Sequence, residues 1–244
     1  MRKAACSPGM TGRSDGTPAP VALSVGGSLL TLGEGDAEYF GRLAELVRRL
    51  GRSFPLIVTT GGGRTAREYI RLGRALGLTE IELDEIGIEV TRIHARLLAA
   101  LVGPPTPAQP PTTVAEAVRE IHRASPVILG GTEPGHTTDA VAALLAVRLR
   151  ACRLVNATRV DGLYDRNPER EPDAKRLDRV AFDEFRRIVQ ASSSGEAGQE
   201  FVFDRLGADA LARARIPLAI VNGRDLGNLE AALVGRPFRG TRVE

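Results

Sequence analysis

Three glycine runs follow apolar segments and come directly before stretches with helical spacing. They are Gly26-Gly27, Gly61-Gly62-Gly63 and Gly130-Gly131. Glycine lets backbone N–H groups come close to an anion, and the N-terminus of a helix adds partial positive charge. Arg67 lies one turn beyond the triple glycine, where its guanidinium can bind phosphate oxygens bidentately. Together the three runs predict a site for the phosphates of a nucleotide-like ligand, whereas one run alone is more typical of a tight turn.

A polar segment, Thr137-Thr138-Asp139, opens the helix that follows the third glycine run. Its hydroxyls can donate hydrogen bonds to a ligand, and its carboxylate can orient a phosphate or the metal ion of that phosphate. The alternative is a purely structural N-cap, because Thr and Asp are common there. The nearby His136 has no paired Cys or Ser, and no Ser-His-Asp or metal-ligand spacing occurs. We therefore expect neither nucleophilic catalysis nor direct metal ligation by the protein.

The stretch from Asn156 to Pro168 is the most distinctive in the chain. A strand ends there, Asp161-Gly162 predicts a turn, and Tyr164 offers a flat aromatic face before the next turn at Asn167-Pro168. Such a loop at the C-terminal edge of a strand can hold a purine and its ribose. The alternative interpretation is a surface hairpin.

Apolar segments that alternate with helical patterns must position these residues. Buried strands are predicted at 20–26, 55–60, 126–130, from 154 onward and at 217–221. Helices are predicted at 36–50, 64–76, 86–102, 113–124, 137–149, 182–190, 204–215 and 228–233. The spacing between strands suits crossover helices, so the fold is predicted to be α/β with a mostly parallel sheet. The Pro-rich segment 103–112 is predicted to be a surface loop that could serve as a lid.

Composition excludes several classes of function. The 244 residues are 43% hydrophobic, which suffices for one sizeable domain, and the net charge is only +3. The absence of Trp and of basic clusters interleaved with aromatics argues against nucleic-acid binding. No apolar run is long enough to span a membrane. Residues 1–20 lack the apolar core of a signal peptide and are predicted to form a disordered tail.

The two cysteines, Cys6 and Cys152, stand far apart in unlike contexts. They suggest neither a disulfide framework nor a metal site, and the apolar surroundings of Cys152 predict a buried thiol. We therefore expect the protein in the reducing cytoplasm.

Longer motifs carry a resemblance to a known family. In chain order they read VGGS, TTGGGRTAREYI, DEIGIEVTRIHARLL, GGTEPGHTTDAVAALLA, NATRVDGLYDRNPEREPDA and VNGRDLGNLEAAL. With them the chain resembles the amino-acid-kinase superfamily and, within it, the archaeal-type uridylate (UMP) kinases. The resemblance implies a three-layer αβα sandwich, usually a homohexamer, that transfers the γ-phosphate of ATP to UMP with Mg²⁺.

The resemblance also implies that one domain, residues 21–244, binds its two substrates in two halves. The half from about 21 to 150 would bind UMP, and the half from about 151 to 244 would bind ATP. The implied UMP contacts are Gly62, Gly63 and Arg67 for the phosphate, Asp84 for the ribose, and Thr132, Thr137 and Thr138 for the phosphate and base. The implied ATP contacts are Gly26, Gly27, Thr158, Gly162, Tyr164, Asp165 and Pro168. The implied catalytic residues are Ser28, Asp139 and Asp204.

Two positions depart from the superfamily pattern. Its members usually bring a lysine to the transferring phosphate, but this chain has Ser24 on the first strand and Asp209 in the helix after Asp204. An anion beside a triphosphate costs on the order of several kcal/mol unless Mg²⁺ or an arginine compensates. The candidates for compensation are Arg64, Arg205 and Arg213.

Two alternatives to a UMP kinase therefore stay open at this point. One is a non-catalytic or weakly catalytic nucleotide-binding or storage protein, similar to the molybdenum storage proteins. The other is a kinase for an acyl or alkyl phosphate acceptor.

Overall fold

The computed structural model describes residues 18–30, 36–165, 171, 173–193 and 203–244, without the side chains of 192–193. Its strands are β1 (Val21–Val25), β2 (Leu56–Thr60), β3 (Val127–Leu129), β4 (Arg153–Thr158), β5 (Leu163–Tyr164), β6 (Arg176–Leu177), β7 (Arg179–Val180), β8 (Leu218–Asn222) and β9 (Thr241–Val243). Its helices are α1 (Asp36–Gly51), α2 (Gly63–Ala75), α3 (Glu80–Val102), α4 (Val114–Glu120), α5 (Thr138–Leu149), α6 (Phe182–Ser193), α7 (Arg205–Ala214) and α8 (Leu226–Val234).

Seven of these strands form the central sheet, in the order β3-β2-β1-β4-β8-β9-β7. All neighbouring pairs are parallel except β8 and β9, which are antiparallel. Strands β5 and β6 form a separate antiparallel pair. The predicted mostly parallel sheet is confirmed, and its order brings the C-terminal ends of β1, β2, β3 and β4 to one edge.

Two apolar cores cover the two faces of the sheet. On one face Val21, Leu23 and Val25 of β1 pack with buried side chains of α1, α3 and α8. On the other face Ala22 belongs to a core built with α4, α5, α6 and α7. Because side chains alternate along a strand, adjacent residues of β1 serve the two cores in turn. The three-layer αβα sandwich is thereby confirmed. None of the described helices has both the length and the apolar character needed to cross a lipid bilayer.

Helix α3 begins six residues earlier than the predicted Ile86. Its N-cap residue is Thr79, whose hydroxyl accepts a hydrogen bond from the Glu82 backbone N–H, while the Glu82 carboxylate accepts one from the Thr79 N–H. This reciprocal capping box satisfies two N–H groups that a helix start leaves open. The Thr-x-x-Glu signature was present in the sequence, but the charged first turn hid it from a prediction based on apolar spacing.

The far edge of the sheet was missed altogether. Strand β9 lies between β8 and β7, and it pairs with both. Strands β7 (Arg-Val) and β9 (Thr-Arg-Val) are only two or three residues long. Strands this short carry no periodicity that a sequence pattern could detect.

Cys152 also differs from its prediction. Its side chain is half-buried rather than buried, and it packs beside the core on the α8 face. The residue is disulfide-bonded, so the predicted free thiol is wrong.

The Pro-rich segment 103–112 contains no helix or strand, as predicted. Its ends are anchored rather than loose. Arg48 Nε donates a 2.6 Å hydrogen bond to the Val102 carbonyl just before it, and the Thr112 N–H donates to the Glu116 carboxylate at 2.8 Å.

The first two glycine runs touch each other, backbone against backbone, where β1 and β2 end. A Cβ atom on Gly27 would lie 2.0 Å from the Gly63 nitrogen, and one on Gly63 would lie 2.0 Å from the Gly27 carbonyl oxygen. Gly63 also has a φ of +60°, which disfavours any residue with a side chain. The chain can therefore close this edge of the sheet only with glycine at both positions.

Gly27→Ala should lower the free energy of unfolding by about 3 kcal/mol or more, because its methyl group has rigid backbone on the opposite side. The matched control is Gly41→Ala in α1, where a Cβ would have no atom within 4 Å. That substitution should stabilise the protein by about 0.5–1 kcal/mol, since alanine favours a helix interior. Urea denaturation of both variants measures the difference, and a wild-type midpoint for Gly27→Ala would contradict the contact.

Candidate active site

The N-terminus of α2 is the first part of the site. Gly62 is the N-cap residue of α2 and provides no side-chain cap, so the first N–H groups of the helix are left for solvent or a ligand. Arg67, one turn along, is exposed and makes no ion pair or side-chain hydrogen bond within the described part of the chain. Arg64 differs, since it pairs with Glu68 at 3.4 Å. The predicted phosphate residues Gly62, Gly63 and Arg67 therefore lie together on one helix start.

The loop after β3 forms the second part. Asp84 of α3 accepts a 2.8 Å hydrogen bond from the Gly135 N–H, which ties α3 to this loop. Thr137 is the N-cap residue of α5 and accepts from the Ala140 N–H at 3.1 Å, so the structural alternative for this threonine is realised. A capping hydroxyl still has its own proton to donate. Thr138 is the first residue of α5.

Thr132 stands out in the same loop. Its Oγ1 is buried and has no hydrogen-bond partner among the described residues. A buried polar group without a partner is costly in a native protein, so this hydroxyl marks a place where a ligand or water atom is expected.

Two carboxylates meet where α5 and α7 begin. Asp139 is half-buried, and its Oδ1 accepts a 2.6 Å hydrogen bond from the hydroxyl of the fully buried Ser24 on β1. Asp204 is the N-cap residue of α7 and accepts from the Gly207 N–H at 2.9 Å. Gly207 allows the two helices to approach, because a Cβ there would lie 3.3 Å from the Asp139 carbonyl oxygen.

This arrangement changes the acidity of Asp139. Burial of the carboxyl group raises its pKa to about 6; the Ser24 hydrogen bond opposes the rise and the negative charge of Asp204 adds to it. An acid of this strength changes its charge close to neutral pH, as groups in active sites often do. Among the described residues, no group of three or more His, Cys, Asp or Glu side chains is arranged to hold a metal ion.

The first glycine run lies between the two halves of the site. The Gly26 N–H donates a 2.8 Å hydrogen bond to the Ala157 carbonyl, which joins the end of β1 to the end of β4. Ser28 is half-buried in a 3₁₀ turn formed by Gly27–Leu29. The structure thus brings Gly26, Gly27 and Ser28 beside the triple glycine.

The loop after β4 is held by a network around Asp161. This carboxylate accepts hydrogen bonds from the Tyr164 hydroxyl, from Arg176 Nη1 at 3.2 Å and from Arg239 Nη2 at 2.6 Å. The hydrogen bonds and charges of these partners lower the pKa of Asp161 despite its burial. Tyr164 was predicted to offer a flat face, and the structure shows that its hydroxyl is fixed at Asp161.

The other predicted nucleotide contacts of this half occupy the same loop. Thr158 ends β4, and its carbonyl accepts from the Gly223 N–H at 2.8 Å. Gly162 has a φ of +150° and is buried. Asp165 is exposed and accepts a 2.8 Å hydrogen bond from the Lys175 N–H. Leu163 and Tyr164 pair antiparallel with β6 at 176–177, whereas β4 pairs in parallel with β1 and β8, so the strands on either side of Asp161-Gly162 do not pair as a hairpin. Pro168 lies outside the described residues.

Asp209 has a different neighbour from those expected. Its carboxylate accepts a 2.6 Å hydrogen bond from Arg186 Nε of α6, and this pair raises the pKa of Arg186. Arg186 reaches Asp209 because α6 packs directly on α7. Compensation at the transferred phosphate by Arg64, Arg205 or Arg213 stays a prediction. Because Asp209 is paired with an arginine, it does not leave an unpaired anion in this region.

Three residues of α3 that support the site were missed by the sequence analysis. Thr91 accepts from the Gly131 N–H at 2.6 Å, and Arg92 donates to the Gly131 and Thr132 carbonyls at 3.3 and 3.2 Å. His94 seemed incidental, yet it is buried and its Nδ1 lies 2.8 Å from the Gly61 carbonyl. The only signal for these three residues in the sequence is that each is polar and falls on the inward face of the helix.

Curated relatives that are named uridylate kinases match nearly the whole chain. It is 41% identical to uridylate kinase from Thermoplasma volcanium over 229 residues, which covers 92% of this chain and 97% of that protein. It is 37% identical to uridylate kinase from Methanobrevibacter smithii over 223 residues, with 91% and 98% coverage.

Solved structures agree with these sequence relatives. The crystal structure of uridylate kinase from Archaeoglobus fulgidus matches with a TM-score of 0.82 and 34% identity, over 93% of this chain and all of that one. UMP kinase from Bacillus anthracis matches with a TM-score of 0.74, but at 17% identity this likeness shows the fold alone. The model of the amino acid kinase family matches residues 20–222. The chain therefore belongs to the amino acid kinase family.

Proposed function

We propose that this protein is a UMP kinase, which transfers the γ-phosphoryl group of ATP to UMP and releases UDP and ADP. The observation that carries the proposal is about 40% identity to archaeal uridylate kinases over most of the chain. The site agrees with this reaction, because phosphoryl transfer needs two anionic substrates aligned among N–H groups and cations rather than a protein nucleophile.

In this proposal the acceptor half, about residues 21–150, binds UMP. The uncapped start of α2 and the guanidinium of Arg67 bind the UMP phosphate, since both offer donors that no other described group occupies. Asp84 has one carboxylate oxygen on Gly135 and offers the other to the ribose hydroxyls. The remaining proposed contacts to the phosphate and base are Thr132, Thr137 and Thr138.

The other half, about residues 151–244, binds ATP in this proposal. Thr158, Gly162, Tyr164 and Asp165 surround the nucleotide, and the Asp161 network keeps their loop in place. Gly26, Gly27 and Ser28 face the transferred phosphoryl group from the end of β1, between the two halves. We keep Pro168 among the proposed contacts on the strength of the motif alone.

Asp139 and Asp204 are the proposed organisers of the catalytic centre. The two carboxylates are close enough to repel each other, which suits a place that receives positive charge when substrates bind. They would orient the water ligands of an Mg²⁺ ion carried by ATP, and this ion would supply positive charge at the transferred group. Such an ion needs few protein ligands, which fits the lack of a three-ligand group among the described residues.

The non-catalytic storage alternative is not favoured. Its support was the absence of the usual lysines, with Ser24 and Asp209 in their places, and Arg186 pairs with the anion at Asp209. Both the sequence relatives and the structural neighbour at 34% identity are uridylate kinases. The combination of Asp84 and Arg67 also suits a nucleoside monophosphate better than an acyl or alkyl phosphate, which has no ribose.

We further propose that the protein self-associates, as a homohexamer, through α3. Ile93, Leu97 and Leu101 recur every four residues along that helix and are exposed, with 64% of Ile93 accessible. Tyr69, Leu72 and Leu76 of α2 and its C-cap are exposed as well. A row of exposed apolar side chains on one helix is typical of an interface, and two copies of one stripe are complementary to each other.

A cytoplasmic location stays a prediction. The disulfide at Cys152 does not support the argument from reduced thiols. The support for this location is the proposed use of ATP and UMP.

The proposed reaction is tested by coupled assays with ATP and a panel of nucleoside monophosphates. We expect kcat/KM for UMP to exceed that for CMP and AMP by about tenfold or more, because a site built for one base leaves polar groups unpaired with another. Calorimetric binding of ATP without turnover of any acceptor would overturn the proposal.

Arg67→Ala should raise the KM for UMP by about 10- to 100-fold, since a charge-assisted hydrogen bond to the phosphate is lost. The KM for ATP should change by less than about twofold. The matched control is Arg71→Ala, which removes an exposed guanidinium one turn further from the helix start. Equal effects of the two substitutions, or an unchanged KM for UMP, would exclude Arg67 from the phosphate site.

The activity should fall as the pH decreases through about 6, because protonation of Asp139 removes the charge that orients the Mg²⁺ waters. The UMP phosphate also titrates at about pH 6, so the wild-type profile alone does not identify the group. Ser24→Ala removes the hydrogen bond that stabilises ionised Asp139. The acidic limb of kcat/KM should then move upward by about 0.5–1 pH unit. A limb that stays in place in this variant would belong to UMP or to another residue.

A further inference from the structure

The guanidinium of Arg92 on α3 forms hydrogen bonds with four residues of the acceptor half. Its Nε donates to the Gly131 carbonyl at 3.3 Å, and its Nη2 donates to the Thr132 carbonyl at 3.2 Å and to the Thr112 carbonyl at 3.4 Å. Its Nη1 contacts the Glu89 carboxylate at 2.6 Å. One guanidinium thus joins α3, the loop after β3 and the end of the Pro-rich segment.

These contacts fix the direction of two peptide groups. A trans peptide is planar, so its N–H points away from its own C=O. Because the Gly131 and Thr132 carbonyls face Arg92, the N–H groups of Thr132 and Glu133 face the opposite side. The Gly131 N–H is turned toward Thr91, to which it donates at 2.6 Å.

If the Arg92 contacts were lost, the backbone just before the loop could not shift to replace them. A Cβ atom on Gly130 would lie 2.6 Å from the Arg92 nitrogen, so the end of β3 is pressed against α3. The loop direction beyond that point therefore depends on side-chain contacts, and Arg92 provides those to two successive carbonyls. The buried Thr132 hydroxyl, without a partner among the described residues, belongs to the same turn.

We propose that Arg92 is a positioning residue for UMP: it holds the Gly131 and Thr132 carbonyls so that the N–H groups of Thr132 and Glu133 and the Thr132 hydroxyl are presented to the acceptor nucleotide. Through Thr112 it also couples the Pro-rich segment to this loop. The inference rests on the proposed function. Donors that are held in place before binding bind a ligand more tightly, because their ordering costs nothing further when the ligand arrives.

The ion pair with Glu89 is not the reason for the placement of Arg92. Glu89 is three residues away on the same helix, and 65% of its side chain is exposed. Exposed pairs of this type contribute little to stability. Glu89→Gln is therefore a matched control, because it removes the ion pair and leaves the carbonyl contacts of Arg92 intact.

The test compares Arg92→Ala, Arg92→Lys and Glu89→Gln with the wild-type full chain. UMP binding is measured by calorimetry without ATP, and the KM values for UMP and ATP are measured by steady-state kinetics. Arg92→Ala should raise the Kd and KM for UMP by about 10- to 100-fold, keep the KM for ATP within about twofold, and recover most of kcat at saturating UMP. Glu89→Gln should stay within about twofold of wild type.

Arg92→Lys distinguishes the positioning role of Arg92 from the effect of its charge. It also provides the test if Arg92→Ala does not fold. A lysine ammonium keeps the charge but does not reproduce the planar fork, so its KM for UMP should stay raised by about fivefold or more. The inference is overturned by an unchanged KM for UMP in Arg92→Ala, by an equal rise of the UMP and ATP values, or by full recovery in Arg92→Lys. A wild-type protein that neither binds nor phosphorylates UMP would overturn the proposed function as well, which the calorimetry reveals without any variant.

Discussion

The contact between Gly27 and Gly63 is the constraint on which the site depends. Two chain segments that leave neighbouring parallel strands approach each other more closely than any side chain would permit. Their closeness places the start of α2 beside the 3₁₀ turn that contains Ser28, so groups proposed for the acceptor and for the transferred phosphate become neighbours. Without it the same residues would still lie at one edge of the sheet but further apart, and the alignment of two reacting anions tolerates little displacement.

Helix α3 turns this edge into a defined surface. It contributes Asp84, Thr91, Arg92 and His94, each of which contacts the backbone of a glycine-containing turn. Glycine turns are adaptable, so a site made from them needs rigid partners to hold one conformation. A long helix that packs its other side chains into the core provides them. The same helix carries the exposed apolar stripe, which links the proposed subunit contact to the acceptor half through one rigid element.

The sequence was sufficient to predict the helices that have a repeating apolar pattern and the glycine runs that interrupt such patterns. Apolar spacing located α1, α2 and α5, and the glycine runs located the edge where the site lies. It was insufficient where short strands carry no periodicity, as in β7 and β9, and where a contact spans distant parts of the chain. The Arg186–Asp209 pair and the bond from His94 to Gly61 are of that kind, because only packing decides which helix faces which. Motif resemblance gave candidate site residues but not the residues that hold them in place.

The order of the last strands has a consequence for synthesis. Strand β7 pairs with β9, which follows about 60 residues later, and the sheet order puts β9 between β8 and β7. A ribosome adds roughly 5–20 residues per second, so β7 waits roughly 3–12 s for its partner. During that interval Val180 and the apolar face of α6 cannot complete their core on the nascent chain. The pairing of β1 with β2 spans only 35 residues, whereas the pairing of β1 with β4 spans 132, so β1 also waits for one of its neighbours. Until these late partners emerge, the open edges of the sheet are sites where chaperones would bind.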